Sequence, residues 1–305
     1  MTRDFLSVDD VSAEELRDLL DLAARVKAAP GEYAGRLAGK AVGLIFEKPS
    51  TRTRVSFEVA VSSMGGHPLA LSSTELQLGR GETIEDTGRV LSRYVDAIVL
   101  RTFGQERLEA LASAATVPVV NALSDYEHPC QILADLQTIL ERRGNARTVV
   151  TYVGDGNNVT HSLLLGAAML GMEARAATPA GYEPIPQVVE RARELAAAAG
   201  GAVEIGNDPR KAAEGADVLY TDVWASMGQE AEHDERVLVF TPFQVNEDLV
   251  SRASPDAIVM HCLPAHRGEE ITDPVIDGPR SVVWDQAENR LHAQKALLLW
   301  LLGGA

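Results

Sequence analysis

Cysteine is nearly absent: Cys130 and Cys262 are the two among 305 residues. They make neither a disulfide framework nor a CxxC zinc site. Basic residues are in deficit, with 28 Lys and Arg against 44 Asp and Glu and a formal net charge of −16. That balance argues against a general nucleic-acid binder, which needs basic surface to displace phosphate counterions. It leaves room for one concentrated basic pocket for a small anion. No apolar run approaches the ~20 residues that span a bilayer. Met1-Thr2-Arg3-Asp4-Phe5 has no apolar core of a secretory signal, so a cytoplasmic location is expected. Several motifs are missing as well. Gly154-Asp155-Gly156 starts a dinucleotide fingerprint, but Val159 stands where the third glycine belongs and no acid ends the next strand at Ala174–Thr178. Walker A glycines and HExxH metal-ligand spacing are absent, and the lack of a GxSxG elbow argues against a serine hydrolase; no metal or organic cofactor is expected.

What remains is an ordinary globular mixture, 46% hydrophobic and 24% charged, in a chain long enough for two domains. Asp10 to Ala28 reads as a helix, because Ser12 with Glu15 makes a capping box ahead of Leu16, Leu19, Leu20, Ala23 and Val26. Short strands at Ala41–Phe46, Leu69–Leu71, Ala97–Leu100 and Val117–Val120 alternate with helices from Thr53, at Thr83–Tyr94, Gln105–Ala114 and Pro129–Arg142. Gly144-Asn145 breaks the pattern. A second alternation follows, with strands at Thr148–Val153, Ala174–Ala177, Val218–Thr221, Ala257–His261 and Val282–Trp284, and helices at Asn158–Leu170 and Val188–Ala199. The expectation is an α/β protein of two domains, each a parallel sheet flanked by helices. Boundaries are expected at residues 1–143 and 144–286, with a C-terminal helix over 287–305 packing back on the first domain.

In open α/β sheets ligands bind beyond the carboxyl ends of the strands, and the polar residues gather there. Ser50-Thr51-Arg52-Thr53-Arg54 places two arginines and three hydroxyls where a strand turns into a helix, a chemistry suited to phosphate. Arg101 ends a strand at the same sheet edge. His128 opens a helix, where a neutral imidazole can donate to a polarised carbonyl, and Gln131 lies one turn on. Asp222 offers a carboxylate to an ammonium group, and the following Ser226-Met227-Gly228 offers a turn to a carboxylate. Each also has a plainer reading. Arg101 is as readily a surface arginine, His128 a capping residue, Asn157 and Asn158 helix caps, and Cys262 a small buried hydrophobe.

Taken in order, Ser50-Thr51-Arg52-Thr53-Arg54, His128-Pro129-Cys130-Gln131, Asp222 to Gly228 and His261-Cys262-Leu263-Pro264 resemble the aspartate/ornithine carbamoyltransferases, and the last two motifs resemble the ornithine branch. The resemblance covers about Phe5 to Leu302. It implies a carbamoyl-phosphate-binding first domain, an ornithine-binding second domain and a homotrimer with sites at subunit boundaries. It further implies that Ser50, Thr51, Arg52, Thr53 and Arg101 hold the phosphate, and that Arg101, His128 and Gln131 hold the carbamoyl group. Gln77 would reach a neighbouring subunit's site. Asn158, Asp222, Ser226 and Met227 would bind ornithine, and Cys262, Leu263 and Arg290 would close over the reacting groups. The implied reaction moves the carbamoyl group of carbamoyl phosphate to the δ-amine of L-ornithine, giving L-citrulline and phosphate in arginine metabolism. The competing readings are a sister transferase acting on putrescine or N-acetylornithine, and a non-catalytic carbamoyl-phosphate-binding protein.

Overall fold

Alternating apolar runs and helices give two parallel sheets. The computed structural model describes residues 3–72, 81–144, 147–225 and 232–303. Gln77, Ser226 and Met227 lie outside the described residues. The chain divides into one unit of Met1–Gln137 with Glu288–Ala305 and a second of Thr138–Ala287. The sequence reading puts the first division at Gly144. The packing division lies between Gln137 and Thr138, inside a helix whose last turn belongs with the second unit. Arg143 pairs there with Asp217 and Asp256, each at 2.6 Å.

In the first unit, β1 (Ala41–Phe46), β2 (His67–Ser72), β3 (Ala97–Arg101) and β4 (Val119–Leu123) form a parallel sheet in the order β2-β1-β3-β4. Helices α1 (Ala13–Ala28), α2 (Thr51–Ser63), α3 (Ile84–Leu91), α4 (Gln105–Ala114) and α5 (Pro129–Arg143) connect and flank the strands. Val42, Leu44 and Ile45 of β1 are fully buried, as a central parallel strand covered on both faces requires. Each such side chain contributes about 1.5–3 kcal/mol by leaving water. The Ser12–Glu15 capping box of α1 is present in both directions. Phe5, also buried, bridges to Val120 and covers part of the β4 edge. Because β1 and β3 pair with Phe46 beside Arg101, the Lys48–Arg54 segment and Arg101 leave the sheet at one end.

In the second unit, β5 (Val149–Val153), β6 (Glu173–Ala177), β7 (Ala202–Gly206), β8 (Val218–Thr221) and β9 (Ile258–His261) form a parallel sheet in the order β7-β6-β5-β8-β9. Its helices are α6 (Asn158–Met169), α7 (Pro186–Ala199), α8 (Pro209–Ala213), α9 (His233–Phe240), α10 (Glu247–Val250) and α11 (Asp273–Ile276). The core under β8 and β9 gathers Val153, Leu219, Val245, Val259, Ile271 and Val283. Register pairs Thr221 with His261, so Asp222 and Cys262 emerge side by side at the carboxyl end.

The last helix, α12 (Val283–Leu302), begins in the second unit and returns to the first from Glu288 onward. There Asn289 accepts from Lys27 Nζ at 2.8 Å, and Arg3 lies over the Trp300 ring at 4.3 Å. This helix corrects one expectation. Val282–Trp284 is not a strand: a single bridge joins Ser281 to Val259, and the Gln286 N–H then closes onto the Val282 carbonyl to start the helix. Among the described residues no helix is long and apolar enough to cross a membrane.

Candidate active site

The anion-binding features of the first unit start at the head of α2. Ser50 is its N-cap in extended backbone, yet its side chain makes no capping bond, and no acidic residue occupies the first turn. The first N–H groups of the helix therefore keep their partial positive charge for an anion. Thr51 and Arg52 are exposed there and Thr53 is buried. Arg54 does not join this group, because it pairs with Glu58 at 2.8 Å one turn along the helix. Glu47, the carboxylate nearest in sequence, accepts from Thr102 and Arg107. It is committed to structure rather than placed as a base.

Behind Thr53 lies a buried polar cluster. Arg290 of α12 donates to Gln131 Oε1 and, at 3.0 Å, to Thr53 Oγ1. Gln131 in turn donates through Nε2 to Asp135 Oδ1 at 2.8 Å. The amide orientation of Gln131 is fixed at both ends, and three separate helices are joined through one guanidinium. Arg101 and His128 are also buried. Burial first, then the positive charges of Arg290 and Arg101, hold the His128 imidazole well below its usual 6.5. His128 is thus neutral at physiological pH and able to donate one N–H. Cys130 has no such part: it is fully buried with its Sγ toward the Asn121 carbonyl, and burial pushes its thiol up to about 12.

The depressed basicity of His128 makes stability depend on pH with a definite sign. The unfolded chain binds a proton near 6.5 that the folded chain refuses, so this contribution is complete above 6.5 and is lost as pH falls below it. Replacing His128 by Gln removes that loss. Urea unfolding at several pH values should show wild type losing up to about 1.4 kcal/mol more per pH unit below 6.5 than His128→Gln. Parallel curves would contradict the neutral assignment.

In the second unit the polar residues gather around Asp222. Its carboxylate accepts from Cys262 Sγ at 2.8 Å and from Asn157 Nδ2 at 3.0 Å. Asn157 also caps α6, its Oδ1 accepting from Val159 and Thr160 N–H groups. The structure thus gives the capping reading to Asn157, which also reaches Asp222. Asn158, half-buried, is the first residue of the helix. Gly156 is required by close approach, since a Cβ there would stand 2.3 Å from the Pro184 nitrogen.

The loop after β9 is held from beneath. His261 is fully buried, its Nδ1 accepting from the Leu263 N–H at 2.8 Å. Its Nε2 must then carry the proton and donate to Glu270 Oε1 at 3.0 Å. This clamp holds Leu263 at φ 59, a left-handed conformation that a leucine adopts only under constraint. Leu263 packs partly on the core of its unit while Cys262 stays half-buried beside Asp222.

Asp155 and Arg236 did not stand out in the sequence. Arg236 of α9 binds Asp155 Oδ2 at 2.9 Å and the Trp224 carbonyl at 2.8 Å. Burial pushes the Asp155 carboxyl up to about 6 against the opposing charge of Arg236. The two residues are 81 positions apart, so no local spacing announces them. The available signal is Asp155 itself, a carboxylate at a strand end.

The first unit thus carries a helix N-terminus, two buried arginines and a neutral histidine. The second carries a carboxylate beside a thiol. Comparison with known proteins matches both parts. Residues 3–141 fit the carbamoyl-P binding domain, and residues 147–301 the Asp/Orn binding domain, of aspartate/ornithine carbamoyltransferase. An ornithine carbamoyltransferase from Parafrankia sp. (strain EAN1pec) is 62% identical over 304 residues, spanning 98% of this chain and 96% of that protein. An anabolic ornithine carbamoyltransferase from Pyrococcus furiosus is 58% identical, spanning 99% and 97%. A solved structure of the ornithine carbamoyltransferase from Pyrococcus furiosus superposes with a TM-score of 0.96 at 57% identity, covering 100% of this chain and 98% of that one. On both domains and along its whole length, the chain belongs to the aspartate/ornithine carbamoyltransferase family.

Proposed function

We propose that the chain transfers the carbamoyl group of carbamoyl phosphate to the δ-amine of L-ornithine, giving L-citrulline and phosphate. The observation that carries this reading is the neutral His128 flanked by the buried cations Arg101 and Arg290. It is a site for a group that is anionic at one end and a polarised carbonyl at the other. Full-length relatives at 57–62% identity that act on ornithine by name support the acceptor.

In this reading Ser50, Thr51, Arg52 and Thr53 take the phosphate oxygens at the head of α2. Arg101, His128 and Arg290 donate to the carbamoyl oxygen, with Gln131 holding Arg290 in place. Asp222 takes an ammonium group of ornithine. Asn158, Ser226, Met227 and Leu263 complete the amino-acid side, and Cys262 lies beside the reacting amine. An alkylamine titrates near the lysine value of about 10.4, so the site must favour its uncharged form before attack. Attack forms the new C–N bond and places negative charge on the carbamoyl oxygen, where preorganised donors are worth about 3–4 kcal/mol each. The C–O bond to phosphate then breaks. The departing phosphate takes the bonding pair and can accept the proton the amine sheds, so no separate protein base is required. Carbamoyl phosphate is an activated acyl donor, and the transfer involves no change of oxidation state. The same reading carries a cytoplasmic homotrimer in which Gln77 serves a neighbouring subunit.

The test is product formation by the purified protein with carbamoyl phosphate and, separately, L-ornithine, L-aspartate, putrescine and N-acetyl-L-ornithine. Citrulline from L-ornithine alone is the expected result. Product from another amine only would overturn the acceptor, and no product from any would overturn the transferase.

A further inference from the structure

A second group of ligating side chains shares no residue with the site groups described above. His233, the first residue of α9, meets His266 and Glu269 of the loop after β9. One ligand atom from each lies within 4.8 Å of the other two. Glu269 Oε2 stands 3.1 Å from His233 Nε2 and 3.7 Å from His266 Nδ1. A tetrahedral ion with bonds of about 2.0–2.1 Å holds its ligand atoms roughly 3.3 Å apart, between those two separations. We propose that His233, His266 and Glu269 form a binding site for a borderline divalent cation of the zinc type.

Three features make this a built site rather than a chance surface cluster. First, His233 Nδ1 faces Asp234 Oδ1 at 3.4 Å. Carboxylates thus flank both ring nitrogens, and an ion at Nε2 would displace the proton shared there with Glu269 while Nδ1–H keeps Asp234, the arrangement by which carboxylates orient metal-bound histidines. Second, the backbone carrying the other two ligands is pinned. The Glu269 N–H closes a turn onto the His266 carbonyl at 2.9 Å, and Gln244 Nε2 donates to the Gly268 and Glu269 carbonyls at 2.9 and 2.8 Å. Third, the adjacent cation does not compete for Glu269, because Arg267 is held by Asp273 and Asp277 at 2.7 and 2.6 Å.

The donor set decides the class of ion. Two imidazoles and one carboxylate suit zinc, cobalt or nickel, whereas magnesium and calcium prefer all-oxygen shells. The ligands are only half-buried or exposed, so water would complete the coordination. A bound ion would tie the start of α9 to the loop after β9.

The alternative cluster of Asp222, His261 and Cys262 is equally close but differently committed. Both ring nitrogens of His261 are already bonded, to the Leu263 N–H and to buried Glu270. The two clusters can be told apart spectroscopically, since only the one with Cys262 would add a thiolate.

The experiment is titration of the metal-free full-length protein with Co(II), followed by visible and near-ultraviolet absorption, and with Zn(II), followed by calorimetry and thermal unfolding. One equivalent of Co(II) should bind with the visible bands of a four-coordinate nitrogen and oxygen shell and no thiolate charge-transfer band. His233→Ala and His266→Gln should each weaken Zn(II) binding by at least the ~10–100-fold that losing an outer-shell partner costs. Each should also abolish the rise in Tm that Zn(II) gives wild type. Carbamoyl transfer by metal-free His233→Ala should match wild type, which shows that the variant is folded. Unchanged Zn(II) affinity in both variants, a thiolate band with Co(II), or no binding by wild type would each overturn the site.

Discussion

Arg290→Met should lower kcat for citrulline formation by about 10²–10³-fold, the loss seen when one donor to a developing oxyanion is removed. The reason is geometric as much as electrostatic. One guanidinium donates to both Gln131 Oε1 and Thr53 Oγ1, joining α12 to α5 and α2. Its charge is also one of the causes that keep His128 neutral. Methionine fills much of the volume but leaves the Gln131 carbonyl without its buried donor, at a cost of about 1–3 kcal/mol in stability. His128 should at the same time become easier to protonate, which ring resonances in an NMR pH titration would show as a midpoint moving up. Arg290→Lys restores the charge but not the fork that reaches two acceptors, so it should recover only part of kcat. A methionine variant with wild-type kcat and an unmoved His128 titration would remove Arg290 from the mechanism.

Asp222→Asn should raise the KM for L-ornithine by about 10–100-fold, because a bond to an ionised group is worth about 1.5–3 kcal/mol. The KM for carbamoyl phosphate should change by less than about twofold, a split that marks loss of binding in one half of the site only. Asparagine still accepts through one oxygen, so the bonds from Asn157 and Cys262 survive in part and the fold should hold. Thermal unfolding checks that point. Steady-state rates with each substrate varied in turn check the rest, and a rise confined to carbamoyl phosphate would reverse the assignment.

Much of this architecture follows from local pattern. The bounds of β1, β8 and α4 coincide with the apolar runs and turn residues that delimit them. The Ser12–Glu15 capping box sets the start of α1 because it is a purely local interaction. Features fixed by distant partners were not legible. Strand β7 is a short sheet edge flanked by Gly200-Gly201, with only Val203 and Ile205 alternating in its interior, too weak a period to read. The β-branched Val282-Val283 reads as a strand until the helix that follows captures it. In the site, residues at strand ends could be picked out because every parallel strand delivers its loop to the same edge. Arg290 could not, since it sits in the middle of a long helix and drew notice only through resemblance to a family. The Asp155–Arg236 pair joins residues 81 positions apart, and the His261–Glu270 clamp ties the end of β9 to a residue nine positions on, a spacing that belongs to no regular period.

The two cysteines differ in a way that is useful at the bench. Cys130 is sealed in the core with its thiol pushed up to about 12, so it offers almost no thiolate to an alkylating reagent in neutral solution. Cys262 is half-buried against the Asp222 carboxylate. The native chain therefore arrives with one addressable thiol, already placed where the amino acid is proposed to sit. A fluorophore or spin label could be carried there without first engineering other cysteines away, and the rate of its attachment would report how freely solvent reaches that spot.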